Sequence, residues 1–481
     1  MDNLEPKEVF EYFKEIAAIP HGSRNTKAIS DYLTRFAKAN DLKYRQDELG
    51  NVIIWKDGVG DKAVIIQGHM DMVCEKEPGC NKDLSVEGLD LYTDGDRLKA
   101  KGTTLGGDDG IAVAMTLSIL ESNDRDLPPI EAVFTVDEEI GMLGAAAIDV
   151  SDLKGRTMIN IDSEQEGVFT VSCAGGVVAK AGIKVTYADT ESNERLFKIS
   201  VEGLIGGHSG IEIHKNRANA IVLLGRVLQK AYDEADIKIV DIYGGAKDNA
   251  IPVSAYAVVA VNTEKTEALK KAVAGIFSDI SSEYATTDSN ITIAVKETAK
   301  EGKEKTLTEE STDKVIYMLT CLPNGIQRMS PDVDGLVQTS LNMGILTQDK
   351  DGITLTFCVR SSVASEKDML KRRLSQMMSA IGGGIEFEGD YPGWQYKVDS
   401  KLRDLMREVY ITIYNEEPKI EAVHAGVECG FFADKLPGLD CVSIGPDLFE
   451  IHTCRESMDI PSVGRTYSLV TKTLKRIAKC K

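Results

Sequence analysis

The apolar residues at the start of the chain recur at intervals of three and four positions, which is the spacing of one face of an α-helix. This spacing occurs over residues 3–18 and again over residues 30–39. We therefore expect two amphipathic helices near the amino terminus, each with one face against a core.

Short β-branched runs dominate the next part of the chain, and each run ends in charged or glycine-rich residues. The runs are NVIIWK at 51–56, AVIIQGHMD at 63–71, AVFTVDEE at 132–139 and TMINIDSE at 157–164. A helix-like apolar segment, GIAVAMTLSILE at 110–121, lies between two of them. This alternation predicts an α/β fold with a buried, mostly parallel sheet.

The pattern changes near Asp189 and returns near Trp394. Between these points the strands alternate polar and apolar residues, as half-exposed antiparallel strands do. We therefore predict an inserted α+β domain over residues 189–392 and a first domain built from residues 1–188 and 393–481.

Composition and charge narrow the classes of partner. The chain has 481 residues, with 56 Lys plus Arg against 76 Asp plus Glu and a formal net charge of −20 at pH 7. Such a charge repels nucleic acids and anionic lipids, so we expect neither as a partner. No apolar run approaches the roughly 18 residues of a membrane helix, and the acidic amino terminus is unlike a secretory signal. Nine cysteines without a C-x-x-C pair are typical of free thiols, and we predict a cytoplasmic protein.

Potential metal ligands follow the apolar strands of the first domain. These residues are His69, the pair Glu138–Glu139, Asp162 and His452, with Asp108 and Asp109 at the start of the helix. Sites in open α/β sheets form beyond the carboxyl ends of the strands, so we expect these side chains to meet in one crevice. The H-E-x-x-H, G-x-S-x-G, Walker A and dinucleotide-binding patterns do not occur, which argues against the enzyme classes that use them.

The ligand types indicate which metal such a crevice would bind. Two imidazoles and three carboxylates suit Zn²⁺, although Mn²⁺ and Co²⁺ accept the same donors. A carboxylate shared by two ions would hold them about 3.5 Å apart with a bridging water. Asp71 is placed to accept the second ring N–H of His69 and fix its tautomer. Neighbouring side chains leaving a strand point to opposite sides, so one of Glu138 and Glu139 can bind metal while the other acts as a general base.

Several segments resemble a known family. GHMDMV, LGGDDGIAVA, VDEEIGMLGA, INIDSEQEG, GGHSGIEIHKNRANA and SIGPDLFEIHT are similar to motifs of the di-zinc exopeptidases related to carboxypeptidase G and aminoacylase, and the match runs nearly end to end. Within that group, NGIQRMSPDVDGLVQTSLNMG, KDNAIP and HAGVECGFF resemble the bacterial aminoacyl-histidine dipeptidases (Xaa-His dipeptidases, peptidase D). The resemblance implies a catalytic domain interrupted by a lid domain, with two zinc ions per subunit.

The resemblance also implies a role for each matching residue. One zinc would be held by His69, Asp108 and Asp162, and the other by Asp108, Glu139 and His452, with Glu138 as the base and Asp71 orienting His69. In the lid, His208 would approach the substrate and stabilise its oxyanion, while Asn249 and Arg360 would contact the substrate backbone or carboxylate. LGGDDG departs from the G-A-D-N-G of many relatives, which changes Gly107 and Asp109 and keeps the aspartate ligand.

The implied reaction is hydrolysis of unblocked dipeptides, preferentially Xaa-His, by a zinc-bound hydroxide, with Glu138 removing and returning a proton. The same metals would also serve an N-acyl amino acid amidohydrolase or a tripeptidase, and a non-catalytic metal-dependent binding protein is the alternative from another class. The expected partner is a small peptide. A homodimer in which His208 serves the neighbouring subunit, and an enlarged lid acting in its own chain, both stay open.

Some of these residues also have ordinary structural explanations. Adjacent glutamates often end a strand, Asp108–Asp109 would suit a helix N-cap, and the glycines before His208 would suit a turn. We assign His21 and His214 to packing or the surface. His424 and Glu428 lie in the segment HAGVECG, for which we keep two equal alternatives. The segment is either a purely structural loop or part of the pocket that recognises a terminus of the substrate.

Overall fold

The structure of the chain, a computed structural model, describes residues 4–299 and 305–479. These residues form two compact units. Unit 1 contains the described residues up to Cys173, Trp394–Ala422 and those from Val427 onward. Unit 2 contains Ala174–Gly393 and Val423–Gly426.

The helices of the described residues are numbered in chain order. Helices α1 to α11 span Lys7–Ala17, Lys27–Ala39, Gly107–Glu121, Leu143–Ala147, Ala220–Ala235, Thr266–Glu283, Glu309–Cys321, Ala364–Ala380, Lys401–Tyr414, Cys429–Lys435 and Ile460–Lys479.

The strands are numbered in the same way. Strands β1 to β8 span Lys43–Gln46, Val52–Lys56, Val64–His69, Leu91–Asp94, Arg97–Ala100, Ile130–Thr135, Thr157–Asn160 and Val168–Cys173. Strands β9 to β17 span Gly175–Ile183, Tyr187–Asp189, Glu194–Glu202, Gly207–His208, Lys238–Gly244, Ala250–Ile251, Ala255–Asn262, Thr292–Thr298 and Lys305–Leu307. Strands β18 to β25 span Gly325–Met329, Val337–Gln348, Ile353–Ser361, Gly384–Tyr391, Lys419–Val423, Asp440–Ser443, Leu448–Phe449 and Ser457–Asp459.

The main sheet of unit 1 has its parallel strands at the centre. The strand order is β1-β2-β6-β3-β7-β23-β8-β22. Strand β3 is parallel to β6 and β7, and β23 is parallel to β7. Strands β1 and β2 at one side and β8 at the other pair antiparallel. The predicted α/β fold is therefore confirmed, and its sheet is a mixed one with a parallel centre.

Helix α3 lies in the middle of the core of unit 1. Every residue from Gly110 to Leu120 is buried, because this segment is apolar on all sides, as in a helix covered by protein all round. Helices α1 and α2 are amphipathic as predicted, and residues such as Phe10 and Phe13 pack into the same core. Full burial of one such side chain contributes about 1.5–3 kcal/mol. Asp108 lies at the amino-terminal end of helix α3, directly before its regular turns.

Unit 2 has its own core and an antiparallel sheet. The strand order is β16-β11-β15-β13-β19-β20-β9-β21, and β18 also pairs with β19. Helices α5 to α8 supply apolar residues to the core on this sheet. The unit begins at Ala174 and not at the predicted residue 189, because β9 pairs with β20 and β21 and so belongs to this sheet.

Among the described helices, we find none whose length and apolar character would let it cross a lipid bilayer.

Candidate metal centre and active site

The predicted ligands of unit 1 lie at one edge of its main sheet. His69 is the last residue of β3, Glu138 and Glu139 come shortly after β6, and Asp162 comes shortly after β7. Because these three strands are parallel neighbours, their carboxyl ends lie together. The apolar residues of each strand are buried in the core. The chain leaves the sheet at a polar residue, which is the last residue of the strand or follows shortly after it.

Asp108 lies between the two predicted histidine ligands. Its Oδ1 is 3.0 Å from Nε2 of His69, and its Oδ2 is 3.2 Å from Nε2 of His452. Asp162 Oδ1 lies 3.5 Å from Nε2 of His69, and Glu139 Oε1 lies 2.9 Å from Nε2 of His452. The structure therefore brings the five predicted ligands together, with a separate set of donors on each side of one carboxylate.

These distances fit a pair of metal ions. Two ligand atoms about 2.0–2.1 Å from a tetrahedral ion are about 3.3 Å apart, close to the separations given above. Oε1 of Glu139 is buried and faces His452 without the geometry of a hydrogen bond, so its lone pair is free for a cation. Asp108, Glu139 and His452 also form a group whose donor atoms all lie within 4.8 Å of one another.

Asp109 is close to the first candidate ion site, although it is not among the five predicted ligands. It forms a compact donor group with His69 and Asp162. Its Oδ2 accepts a hydrogen bond from the backbone N–H of His69 at 3.1 Å. The same oxygen lies 2.5 Å from where a Cβ of Gly68 would be, so this position requires glycine. Burial, together with the charge of Asp162, raises the pKa of Asp109.

The tautomer of His69 is set by Asp71. Nδ1 of His69 lies 3.0 Å from the backbone oxygen of Asp71 and 3.5 Å from its carboxylate Oδ1. The carbonyl is thus the nearer acceptor, whereas the sequence predicted the carboxylate. With the proton on Nδ1, the lone pair of Nε2 faces Asp108 and Asp162.

The carboxylate of Asp71 holds the loop that carries the two glutamates. Its Oδ1 accepts from the backbone N–H of Glu138 at 3.0 Å, and its Oδ2 accepts from that of Glu139 at 3.4 Å. The hydroxyl of Ser23 also donates to Oδ2 at 2.8 Å. Ser23 was not predicted to support the site, because nothing in its local sequence pattern indicates a partner 48 residues away.

Glu138 is half-buried beside these ligands. Burial raises the pKa of Glu138 to about 9, which favours a protonated carboxyl. Bound dications would oppose this shift, since positive charge stabilises the carboxylate. The group is therefore poised to change its protonation state at the site.

Glu428 lies in a buried hydrogen-bond network within unit 1. Its Oε2 accepts from Nε2 of Gln67 and from Oγ1 of Thr135, both at 2.6 Å. Oε1 of Gln67 in turn accepts from Nδ2 of Asn160 at 2.6 Å. Burial raises the pKa of Glu428 to about 7. The network joins β3, β6 and β7 close to their carboxyl ends, which supports the structural interpretation of this residue.

In unit 2, His208 has a defined tautomer. Its Nδ1 accepts hydrogen bonds from the backbone N–H groups of Gly210 and Ile211, both at 3.2 Å. A neutral ring with these contacts carries its proton on Nε2, which is then a donor. Burial and the positive charge of Arg360 lower the pKa of His208.

The other predicted lid residues lie in the same unit. The backbone oxygen of Asn249 accepts from the N–H of Ser209 at 2.8 Å, next to His208. Arg360 on β20 is buried, and its Nη1 donates to the hydroxyl of Tyr391 at 3.2 Å. Its Nε has no hydrogen-bond partner among the residues that the structure describes. A Cβ at Gly210 would lie 3.0 Å from His208 Cε1 and 3.2 Å from Arg360 Nε, so the two side chains converge there.

The remaining histidines have packing or surface positions. His424 is buried in unit 2, with Nε2 2.7 Å from the hydroxyl of Ser340. Burial lowers the pKa of His424 to about 3, so the ring is neutral. His21 is buried with Nδ1 2.6 Å from the backbone oxygen of Ile19, and His214 is exposed.

Comparison with known proteins identifies the family of the chain. Residues 65–476 match the family described as Peptidase family M20/M25/M40. The chain is 34% identical to the cytosol non-specific dipeptidase of Escherichia coli (strain K12). The alignment spans 481 residues and covers 99% of each protein. The crystal structure of aminoacylhistidine dipeptidase from Vibrio alginolyticus matches with a TM-score of 0.95 at 34% identity, covering 99% of this chain and 97% of that chain.

More distant structures share the fold. An aminopeptidase from Bacillus cereus ATCC 10987 has a TM-score of 0.56 at 15% identity over 99% of both chains, a likeness that concerns the fold alone. The resemblance carried by the ligand motifs is confirmed by the family match. This chain belongs to the peptidase family M20/M25/M40.

Proposed function

We propose that this peptidase hydrolyses unblocked dipeptides with the aid of two bound metal ions and that it prefers dipeptides of the Xaa-His type. The observation that carries the proposal is the position of Asp108, whose two carboxylate oxygens face different histidines at 3.0 and 3.2 Å. A carboxylate in this position can bridge two cations. The printed names of the relatives at 34% identity, both dipeptidases, agree with a dipeptide substrate.

The ligand set favours Zn²⁺, with Mn²⁺ and Co²⁺ as substitutes. One ion would be held by His69, Asp108 and Asp162, and the other by Asp108, Glu139 and His452. When bound, such ions polarise the scissile carbonyl and bring the pKa of a bound water to about 7.

Glu138 is the proposed general base. Its carboxylate takes a proton from the attacking water and returns it to the nitrogen of the leaving amine. Asp71 keeps Glu138 in place through the backbone hydrogen bond of 3.0 Å. His208 is the proposed donor to the oxyanion, because its Nε2–H is not used by the contacts that fix its Nδ1.

Arg360 and Asn249 are the proposed contacts for the substrate carboxylate and backbone. Nε of Arg360 is a buried donor without an acceptor in the described part of the chain, which suits binding of an anionic group. The preference for a carboxyl-terminal histidine rests on similarity to the Vibrio alginolyticus protein. The Escherichia coli relative, named as non-specific, supports a wider range of dipeptides.

A substrate panel tests the proposal. We expect kcat/KM to be highest for Xaa-His dipeptides, lower for other dipeptides, and low for N-acetyl amino acids and tripeptides. Faster hydrolysis of N-acetyl amino acids or tripeptides would identify an amidohydrolase or a tripeptidase. Metal binding without hydrolysis of any of these compounds would identify a binding protein.

We also propose a cytoplasmic location, which agrees with the free thiols and with the name of the Escherichia coli relative. A homodimer remains part of the proposal, with His208 acting in its own subunit or in the partner subunit. Sedimentation equilibrium of the full chain distinguishes a monomer from a dimer.

A further inference from the structure

Glu456 accepts four consecutive backbone N–H groups at the start of helix α3. Its Oε2 accepts from Leu105 at 2.7 Å and Gly106 at 3.0 Å. Its Oε1 accepts from Gly107 at 2.8 Å and Asp108 at 3.4 Å. The side chain is buried, with 4% of the residue exposed. A carboxylate that satisfies four amides in a buried position is a strong anchor for the loop that carries Asp108.

The two glycines of this loop make the arrangement possible. Gly106 has a φ of +66°, in the left-handed region that glycine adopts without strain. This turn directs successive N–H groups towards one point. A Cβ on Gly107 would lie 3.2 Å from Oε1 of Glu456, so a larger residue would crowd the carboxylate. The glycines of LGGDDG therefore leave room for the carboxylate of Glu456 and let the backbone N–H groups of this loop face it.

Glu456 also belongs to the loop that carries His452. Its backbone N–H donates to the backbone oxygen of Thr453 at 3.1 Å. This hydrogen bond closes a turn directly after His452. The next residue, Ser457, begins β25 and pairs with Lys99 of β5. Glu456 is thus fixed by a strand on one side and by the histidine loop on the other.

We propose that Glu456 is a positioning residue that sets the separation of Asp108 and His452, and through it the geometry of the second metal site. The inference rests on the proposed function, because it assumes that Asp108, Glu139 and His452 hold an ion. Glu456 faces the amides of residues 105–108 and not the ligand atoms, so it acts through the backbone of Asp108 and through the turn after His452.

The test measures metal affinity site by site. Metal-stripped wild type and the Glu456→Gln variant are titrated with Zn²⁺ by calorimetry and with Co²⁺ by visible absorption, which reports coordination geometry. Glutamine places an NH₂ group against two of the four amides. We expect the affinity for one of the two ions to fall about 10- to 100-fold and its Co²⁺ spectrum to change, while the affinity for the other ion, which shares only Asp108, falls much less.

Two further variants make the result specific. Glu450→Gln changes an exposed glutamate of the same loop whose carboxylate pairs with Arg455, and we expect wild-type binding of both ions. Gly107→Ala crowds Oε1 of Glu456 without changing any charge, and we expect the same selective loss as in Glu456→Gln. This variant also provides the answer if Glu456→Gln does not fold.

The outcomes separate this inference from the proposed function. Wild-type protein that binds two ions, together with Glu456→Gln and Gly107→Ala variants that bind both with wild-type Kd and spectra, would overturn the inference alone. An equal loss of affinity for both ions, together with a lower melting temperature, would indicate a general structural role for Glu456. This result would also overturn the inference. Wild-type protein unable to bind two ions would overturn the proposed function and this inference together.

Discussion

Neighbouring carboxylates of the candidate site differ in their hydrogen-bond partners. Burial raises the pKa of Glu138, and hydrogen bonds to its carboxylate do little to offset this rise. Burial acts in the same direction on Asp71, but the nearby His69 ring and hydrogen bonds from the Glu138 backbone and Ser23 lower its pKa overall. The charged form of Asp71 is therefore favoured, whereas burial favours the protonated form of Glu138, the group proposed to carry a proton during the reaction.

Replacing Glu138 with glutamine tests the role of the base. The Glu138→Gln variant keeps the size of the side chain but cannot accept the proton, so we expect kcat to fall by about 10²- to 10⁴-fold. The metal content, measured by mass spectrometry on the same sample, is expected to equal that of wild type. Wild-type activity in this variant would contradict the assignment.

The neutral state of buried His424 predicts a pH dependence of stability. Burial lowers the pKa of His424 to about 3 in the folded chain, against an ordinary value of about 6.5. Between these values the unfolded chain binds the extra proton, so the contribution of His424 to stability is present above about pH 6.5 and is lost as the pH falls.

The comparison variant is His424→Gln. We expect the free energy of unfolding of wild type, relative to this variant, to fall by up to about 1.4 kcal/mol per pH unit between about pH 6.5 and 5. The exposed His214→Gln variant is the matched control and should run parallel to wild type. A difference between wild type and His424→Gln that does not change with pH would contradict a neutral buried ring.

At the scale of secondary-structure elements, the short helix α4 after the glutamate loop is tied to α10. Nζ of Lys435 donates to the backbone oxygens of Ala145, Ala146 and Ile148 at 2.7, 2.7 and 2.9 Å. A cation at the end of a helix satisfies carbonyls that have no partner within the helix and interacts favourably with the helix dipole.

The Lys435→Met variant keeps the apolar stem and removes these bonds. We expect the free energy of unfolding to fall by about 2–3 kcal/mol, because a hydrogen bond to a charged group contributes about 1.5–3 kcal/mol and its loss is partly relieved by water. The exposed Lys401→Met variant at the start of α9 should change it by less than about 0.5 kcal/mol. Equal losses in denaturant titrations of the two variants would contradict this account.

Elements with a strong local pattern were predictable from the sequence. The apolar runs that end at His69, before Glu138 and before Asp162 became parallel strands, and α3 formed over the predicted apolar segment. Asp109, Ser23 and Glu456 were not predictable as supports, because their partners depend on the tertiary fold. Glu456 and Leu105, for example, are 351 residues apart in sequence. No local pattern of hydrophobic and polar residues indicates such a contact.

At the scale of the whole molecule, the described residues build two cores, one on each of the two large sheets. The periodicity change near Asp189 located the insertion approximately, but β9 already belongs to the second sheet. Strand β9 alternates buried and half-buried residues over its second half, whereas β8 before it is buried throughout. The boundary therefore follows strand pairing, which the sequence pattern reports only indirectly.

The family assignment and the site geometry together lead to one central proposal, that Asp108 would contribute a ligand to each of two metal ions in unit 1. The ligand atoms come from five separate stretches of the chain, and the parallel strands β3, β6 and β7 bring three of them to one edge. Loss of His452 would remove one donor of the second site and leave the first site intact.

The most direct test is the number of divalent ions per chain in wild type and in the His452→Ala variant, measured by mass spectrometry after gel filtration. We predict two ions per wild-type chain, loss of one ion in the variant, and loss of activity when a chelator removes both. Wild-type protein that hydrolyses dipeptides without bound metal, or a variant that keeps both ions, would contradict the account.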